Sequence, residues 1–308
     1  MTNLTALFSV VVTLLAGATL VGWTLNRIRP SATVSNLVRR IWAWWGMVAV
    51  LALATWLGKP GVTILFLLLS FLALREYLTL VPTARADHAT LLWSFFIVTP
   101  VQYSFLWFDA YGMFSIFIPV YVFLFLPIRA ALEGDTRNFL ERTSRTQWGL
   151  MTCVYCLSHA PALLILNIPN FGGGQITLLV YLLLVVESSD VFQYIWGKLL
   201  GRRKIAPKIS PNKTLAGLVG GVLSATALGT ALYKVTPFSP LTAAALSLVA
   251  TLLGFAGGLV MSAVKRDRGV KDYGNLIAGH GGALDRLDSL IFAAPVFFHL
   301  TRFFYSVH

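Results

Sequence analysis

The hydropathy pattern limits this chain more than any other feature. Apolar residues come in runs of about 20 that recur from one end to the other. A run that long crosses the ~30 Å hydrocarbon core of a bilayer as an α-helix. Only helices and closed barrels can satisfy every backbone polar group there, and the strict alternation of a barrel strand is absent. Composition agrees: 57% of the 308 residues are hydrophobic and 12% charged, with a mean hydropathy of +0.75. A soluble domain carries about 25% charged residues. The pattern predicts an all-α polytopic membrane protein with spans near 4–23, 41–58, 61–82, 90–108, 112–132, 148–166, 174–196, 214–233, 241–262 and 289–306. The glycine-rich runs GLVGG (217–221) and GFAGG (254–258) suggest broken or closely packed helices and leave the number at nine or ten. No basic segment precedes the apolar first 23 residues and no cleavage signal is clear, which reads as a retained span.

Charge sets the expected orientation. The connection 24–40 holds Arg27, Arg29, Arg39 and Arg40, and 83–89 holds Arg85. Arg129, Arg137, Arg142 and Arg145 lie in 129–147, and Lys198, Arg202, Arg203, Lys204, Lys208 and Lys213 in or beside 197–213. Lys265, Arg266, Arg268, Lys271 and Arg286 lie in 263–288. All these connections fall on one side, which the positive-inside rule makes cytoplasmic, as in a bacterial inner membrane. The net charge of +12 is then mostly topology signal and calls for no nucleic acid. The first 147 residues read as membrane helices with few polar groups. Residues 148–308 carry nearly all the chemistry-capable ones, around the cytoplasmic loops 197–213 and 263–288. Cys153 and Cys156 lie inside an apolar run, so no disulfide framework is expected. With His159 they form CxxCxxH on one helix face, read here as packing. Arg75 and Glu76 are read as polar contacts between helices or near the interface.

Three constellations point to chemistry. Glu187 and Asp190, in VVESSDVFQY, are three apart and share a helix face; carboxylates at membrane depth usually face a cavity or a partner. PKISPNKT (207–214) follows the basic run GRRK; Thr214 could cap the next helix, making either an anion site or an ordinary cap in a basic loop. In SAVKRDRGVKDYGNLIAGHGGALDRLDSL (262–290), Asp285 and Asp288 again share a face. That arrangement suits Mg²⁺, which takes one or two carboxylates plus substrate phosphates. Lys265, Arg266, Lys271 and Arg286 could offset phosphate charge, Gly279, Gly281 and Gly282 allow close backbone approach, and His280 could be a base, a phosphate donor or structural.

Residues 262–288 closely resemble the signature of the phosphatidate cytidylyltransferases: a Ser, then Lys-Arg, Lys-Asp, His-Gly-Gly and Asp-Arg-x-Asp. PKISPNKTLAGLVGG (207–221) looks like that family's second motif. The resemblance is specific over about 187–290. It implies a membrane enzyme that transfers CMP from CTP to phosphatidate, with Mg²⁺ as cofactor and membrane lipids around it, and it leaves room for a homodimer. It further implies Asp285, Asp288, Lys265, Arg266 and His280 as catalytic groups, with Asp190 and Asp272 joining Asp285 and Asp288 as metal carboxylates. Lys213, Ser210, Asn212, Lys271, Arg286, Gly281 and Gly282 would bind substrate. The sequence departs from the pattern at Gly258, where the family places a metal-binding aspartate, at Ala216, where it usually has Glu, and at Ser189-Asp190, where it has Asn-Asp. Gly258 and Ala216 favour, as the alternative, a non-catalytic lipid- or nucleotide-binding membrane protein that keeps the fold and has lost the metal site. A transporter is disfavoured because the ionisable residues cluster at cytoplasmic span ends. A CTP-dependent lipid kinase would differ in its product.

Overall fold

The computed structural model describes residues 3–28, 31–171, 174–276 and 281–307. These form ten apolar helices: α1 (Asn3–Ile28), α2 (Ala32–Trp56), α3 (Gly58–Leu80), α4 (Arg85–Trp107), α5 (Tyr111–Ala131), α6 (Phe139–Ile165), α7 (Gln175–Leu200), α8 (Leu215–Ala231), α9 (Pro240–Asp267) and α10 (Leu284–Tyr305). Nine are long and apolar enough to cross a bilayer; α8, with 17 residues, is the short one among the described residues. At 1.5 Å per residue it rises about 26 Å, the lower limit for a span. The chain is therefore an all-α polytopic membrane protein, as its hydropathy predicts. Between α7 and α8 a hairpin of β1 (Lys204–Ala206) and β2 (Ser210–Thr214) pairs antiparallel, with Lys204 opposite Thr214.

Two helices begin as much as nine residues earlier than the apolar runs suggest. α2 starts at Ala32 and α6 at Phe139, so Arg39, Arg40, Arg142 and Arg145 are helical. In α6 the extension is held by charge. Arg142 is buried and reaches Asp87 at 3.2 Å and Asp135 at 2.9 Å, tying the first turn of α4 and the connection after α5 to α6. Hydrogen bonds from Arg137, then from Arg142, hold the Asp135 carboxyl well below the usual carboxylate range.

The core lies among α3, α6, α7, α9 and α10. Glycines set the closest approaches. A Cβ on Gly149 would stand 2.6 Å from the Tyr77 ring, so α6 and α3 meet there. Gly217 backs onto the Gln193 carbonyl of α7 and Gly220 onto Trp196; GLVGG is thus a close helix contact, not a break. The α1–α2 hairpin stands at the periphery, with little of either helix buried. Trp42, Trp56 and Trp107 are exposed, Trp56 and Trp107 at helix ends, as interfacial aromatics are. π-turns interrupt α4 at Ser94–Val98 and α5 at Phe117–Val122. Pro100 follows the first and Pro119 lies in the second; a residue without an N–H reopens the ladder.

Cys153 and His159 pack, as expected. His159 is fully buried among Phe114, Tyr155 and Phe298, with Nδ1 2.8 Å from the Tyr155 carbonyl oxygen.

Candidate active site

The predicted residues separate into two groups: one where the end of α9 meets the start of α10, and one between the middle of α7 and the first turns of α10, reached by the hairpin. The first is a knot around Asp285. Its Oδ1 accepts from Lys265 Nζ at 2.7 Å, and its Oδ2 from the backbone N–H of Tyr273 at 2.7 Å and Gly282 at 2.9 Å. Asp285 and Lys265 are both buried. Lys265 also stands 5.2 Å from the Tyr273 ring centroid, and the Tyr273 hydroxyl donates to the Met261 carbonyl at 3.0 Å. Every oxygen of Asp285 thus has a donor within the protein. A buried ion pair of this kind offsets its desolvation only through such additional bonds. Asp285 folds the chain between α9 and α10 back onto α9.

The two glycines of the knot have structural causes. Gly281 sits at φ +83°, the left-handed region that glycine tolerates, and a Cβ there would be 2.7 Å from Asp285 Oδ2. A Cβ on Gly282 would run into Oε2 of Glu76. Both therefore serve contacts within the protein. His280 and Gly279 lie outside the described residues.

The second group lies across the α7–α10 contact. Ser289 Oγ donates to Asp190 Oδ2 at 2.8 Å and stands 3.5 Å from Asp288 Oδ1, so one hydroxyl touches two carboxylates. Asp190 Oδ1 also accepts from Gln193 Nε2 at 3.3 Å. Glu187, one turn earlier on α7, has no hydrogen-bond partner among the described residues. Two cations face these acids. Arg286 has its Nε buried without a partner. Lys213 reaches inward from β2: its Nζ donates to the Phe255 carbonyl at 3.3 Å and lies 4.5 Å from the Phe255 ring centroid. Burial holds the Lys213 ammonium below its ordinary range, against the opposing pull of Asp190 and Asp288.

Gly258 borders this group. A Cβ there would be 2.8 Å from Lys213 Nζ, 3.5 Å from Ser289 Oγ and 3.9 Å from Asp288 Oδ2. The amine of Lys213 thus occupies the room a side chain at 258 would use.

Other predicted residues are not gathered here. Arg266 is exposed and braces loops: its Nε donates to the Ile209 carbonyl at 3.1 Å and its Nη1 to that of Val270 at 3.2 Å. Lys271 and Asp272 are exposed beside the knot. Ser210 and Asn212 share the face of β2 opposite Lys213, because strand side chains alternate. Thr214 is an ordinary cap: its hydroxyl accepts from Gly217 N–H at 3.1 Å. A cavity of about 580 Å³ opens at the far end of α10, lined by Tyr111, His299 and Arg302 among others; it contains none of the predicted residues.

Sequence reasoning missed two residues as part of the site: Ser289, which links Asp190 and Asp288, and Glu76. Glu76 of α3 places Oε1 2.9 Å from Ala283 N and Oε2 2.8 Å from Leu284 N, accepting from both. A lone carboxylate inside an apolar run was its only signal.

The model of the cytidylyltransferase family matches residues 38–304. The chain is 42% identical over 292 residues to the protein YnbB of Escherichia coli K12, covering 94% of this chain and 95% of that one. It is 35% identical over 257 residues to the phosphatidate cytidylyltransferase of Bacillus subtilis 168, covering 80% and 91%. The phosphatidate cytidylyltransferase of Mycobacterium leprae is 38% identical over 173 residues, about half of each chain. With a match that takes in the whole of α3 to α9 and nearly all of α10, the chain belongs to the cytidylyltransferase family.

Proposed function

We propose that this protein transfers CMP from CTP to phosphatidate, yielding CDP-diacylglycerol and pyrophosphate, at the cytoplasmic face of an inner membrane. The observation that carries this reading is the Asp190–Ser289–Asp288 contact flanked by Arg286 and Lys213. Acids for a cation and cations for phosphate meet there, near the cytoplasmic ends of the spans. A phosphate oxygen of phosphatidate attacks the α-phosphorus of CTP. The new P–O bond forms as the bond to the β-phosphate oxygen breaks, and the electron pair leaves with pyrophosphate. A phosphate monoester has a second pKa near about 6, so at neutral pH the nucleophile is largely ionised and needs no strong base. The protein's work is to align two polyanions and offset their repulsion.

Mg²⁺ fits this donor set. Among the described residues no three His, Cys, Asp or Glu side chains gather into a ready cage. Mg²⁺ does not need one, since it commonly takes one or two carboxylates and completes its shell with water and substrate phosphates. Asp190 and Asp288 would hold it, with Glu187 one turn away. When bound, the ion would polarise the phosphoryl oxygens under attack. Arg286, with a buried donor free, would take a phosphate oxygen, and Lys213 would add a second positive charge.

Purified protein in phosphatidate–detergent micelles, given Mg²⁺ and CTP labelled at the α-phosphate, should move label into a CDP-lipid. A second reading, binding without turnover, is favoured by the Lys213 amine filling the space beside Gly258. Folded protein that binds CTP yet transfers no label would establish that one instead.

A further inference from the structure

Glu76 lies two hundred residues from the signature and on another helix, yet it holds the first turn of α10. Its two oxygens accept the N–H groups of Ala283 and Leu284, and the preceding N–H, that of Gly282, goes to Asp285 Oδ2. Three successive amides at the start of a 22-residue helix are therefore each taken by a carboxylate. The space for Glu76 is kept by glycines: a Cβ on Gly274 would stand 2.8 Å from Oε1, and one on Gly282 would meet Oε2. The helix start held in this way carries Arg286 and Asp288 within its first five residues.

We propose that Glu76 is a positioning residue of the transfer site. Its carboxylate fixes the first turn of α10, so that Asp288 and Arg286 face Asp190, and closes that helix N-terminus to substrate phosphate. The second effect follows from electrostatics. The N-terminus of a helix presents unpaired amides and partial positive charge and draws anions. Two phosphate-bearing substrates near α10 would compete for that position. With Glu76 and Asp285 seated there, the amides are satisfied and the local charge is negative, so phosphates go to Arg286 and Lys213. The first effect follows from geometry. One residue of unwinding shifts a helix by 1.5 Å along its axis, and misplacement of about 1 Å can cost on the order of 10²-fold in rate.

This inference rests on the transfer reading for its kinetic arm alone. Glu76→Gln preserves shape but turns a donor toward one of the two amides. In mixed micelles its kcat should fall on the order of 10- to 100-fold, with KM for CTP and phosphatidate nearly unchanged. Pyrophosphate should inhibit it more tightly than wild type, because the helix start is open to anions. In hydrogen–deuterium exchange, peptides covering 281–290 should exchange faster while α7 keeps its protection. Glu76→Asp, too short for both amides, should fall between Gln and wild type. Wild-type kcat with wild-type exchange at 281–290 in Glu76→Gln would overturn the proposal; so would exchange that rises equally in α7 and α10. Unchanged pyrophosphate inhibition would overturn the closure of the helix start. If Glu76→Gln does not fold, Gly274→Ala crowds the carboxylate from the other side and is read by the same exchange. A wild-type protein that makes no CDP-lipid overturns the reaction, and the exchange measurement then decides the anchor by itself.

Discussion

Asp285 and Asp288 are three residues apart on one helix, yet their surroundings differ. Asp285 is saturated: one lysine and two amides take both its oxygens. Among the described residues Asp288 has one polar contact, at 3.5 Å from a serine hydroxyl, and its neighbours Glu187 and Arg286 keep polar groups unpartnered. Burying an unsatisfied charge is costly. A fold keeps such groups where a ligand will complete them, and completes them internally where the fold itself depends on them. The difference teaches that a signature motif can mix two kinds of residue. The Lys265–Asp285 pair is closed within the fold, and the Asp190–Asp288 set keeps acceptors to spare among the described residues.

The sharpest way to break this comparison is to remove one partner from each region. Lys265→Met leaves the Asp285 carboxylate buried and without its cation, and should cost about 3–5 kcal/mol of stability. The double variant Lys265→Met/Asp285→Leu should recover much of that loss, since an apolar pair can replace a buried ion pair. Thermal unfolding in detergent of the two single variants and the double variant reads this. A double variant no more stable than Lys265→Met would mean the amide bonds, not the ion pair, hold the knot.

Asp288→Asn should do the reverse. It relieves repulsion among three acids, so the melting temperature should hold or rise slightly, while CMP transfer falls by roughly 10²–10³-fold, the scale of a lost electrostatic group. Asp285→Asn should lose activity and stability together. If both asparagine variants lose activity without loss of stability, Asp285 belongs with the metal carboxylates and the distinction fails. Arg286→Gln should come next, at about 10- to 100-fold, because it removes the free buried donor but leaves Lys213. Its loss should appear as weaker CTP or phosphatidate binding, measured as KM.

The fold was legible because bilayer thickness dictates helix length, and all ten helices lie where the apolar runs put them. The ends were not. The first turns of α6 are polar, and Arg142 clasping Asp87 and Asp135 fastens them to the rest of the fold; no local pattern encodes the Asp87 contact 55 residues back. In the candidate site, spacing put Glu187 and Asp190 near each other on α7, but it also paired Asp285 with Asp288, which the structure places in different groups. It could not separate a saturated acid from an open one, since that depends on which amides the chain 272–282 delivers. The glycines illustrate the same limit. Gly281 and Gly282 read as room for a ligand, and the room is filled by Asp285 and Glu76.

The smallest expected effect is the most discriminating. Gly258→Asp puts a carboxylate where Lys213 Nζ now rests. The clash is with the tip of a flexible side chain and not with backbone, so stability should change by less than about 1 kcal/mol. What changes is charge. The new acid either pairs with Lys213 or adds a third oxygen donor beside Asp190 and Asp288. In the first case Mg²⁺ titrations of CMP transfer keep their midpoint and the rate falls, because a phosphate-facing cation has been neutralised. In the second, the midpoint moves to lower Mg²⁺, since another carboxylate raises affinity for a hard cation. We expect the first outcome in Gly258→Asp alone and the second in Gly258→Asp/Lys213→Met, where no amine competes for the acid. A double variant whose Mg²⁺ midpoint matches wild type would mean that position 258 does not face the cation, and that Lys213 is seated there for packing against Phe255.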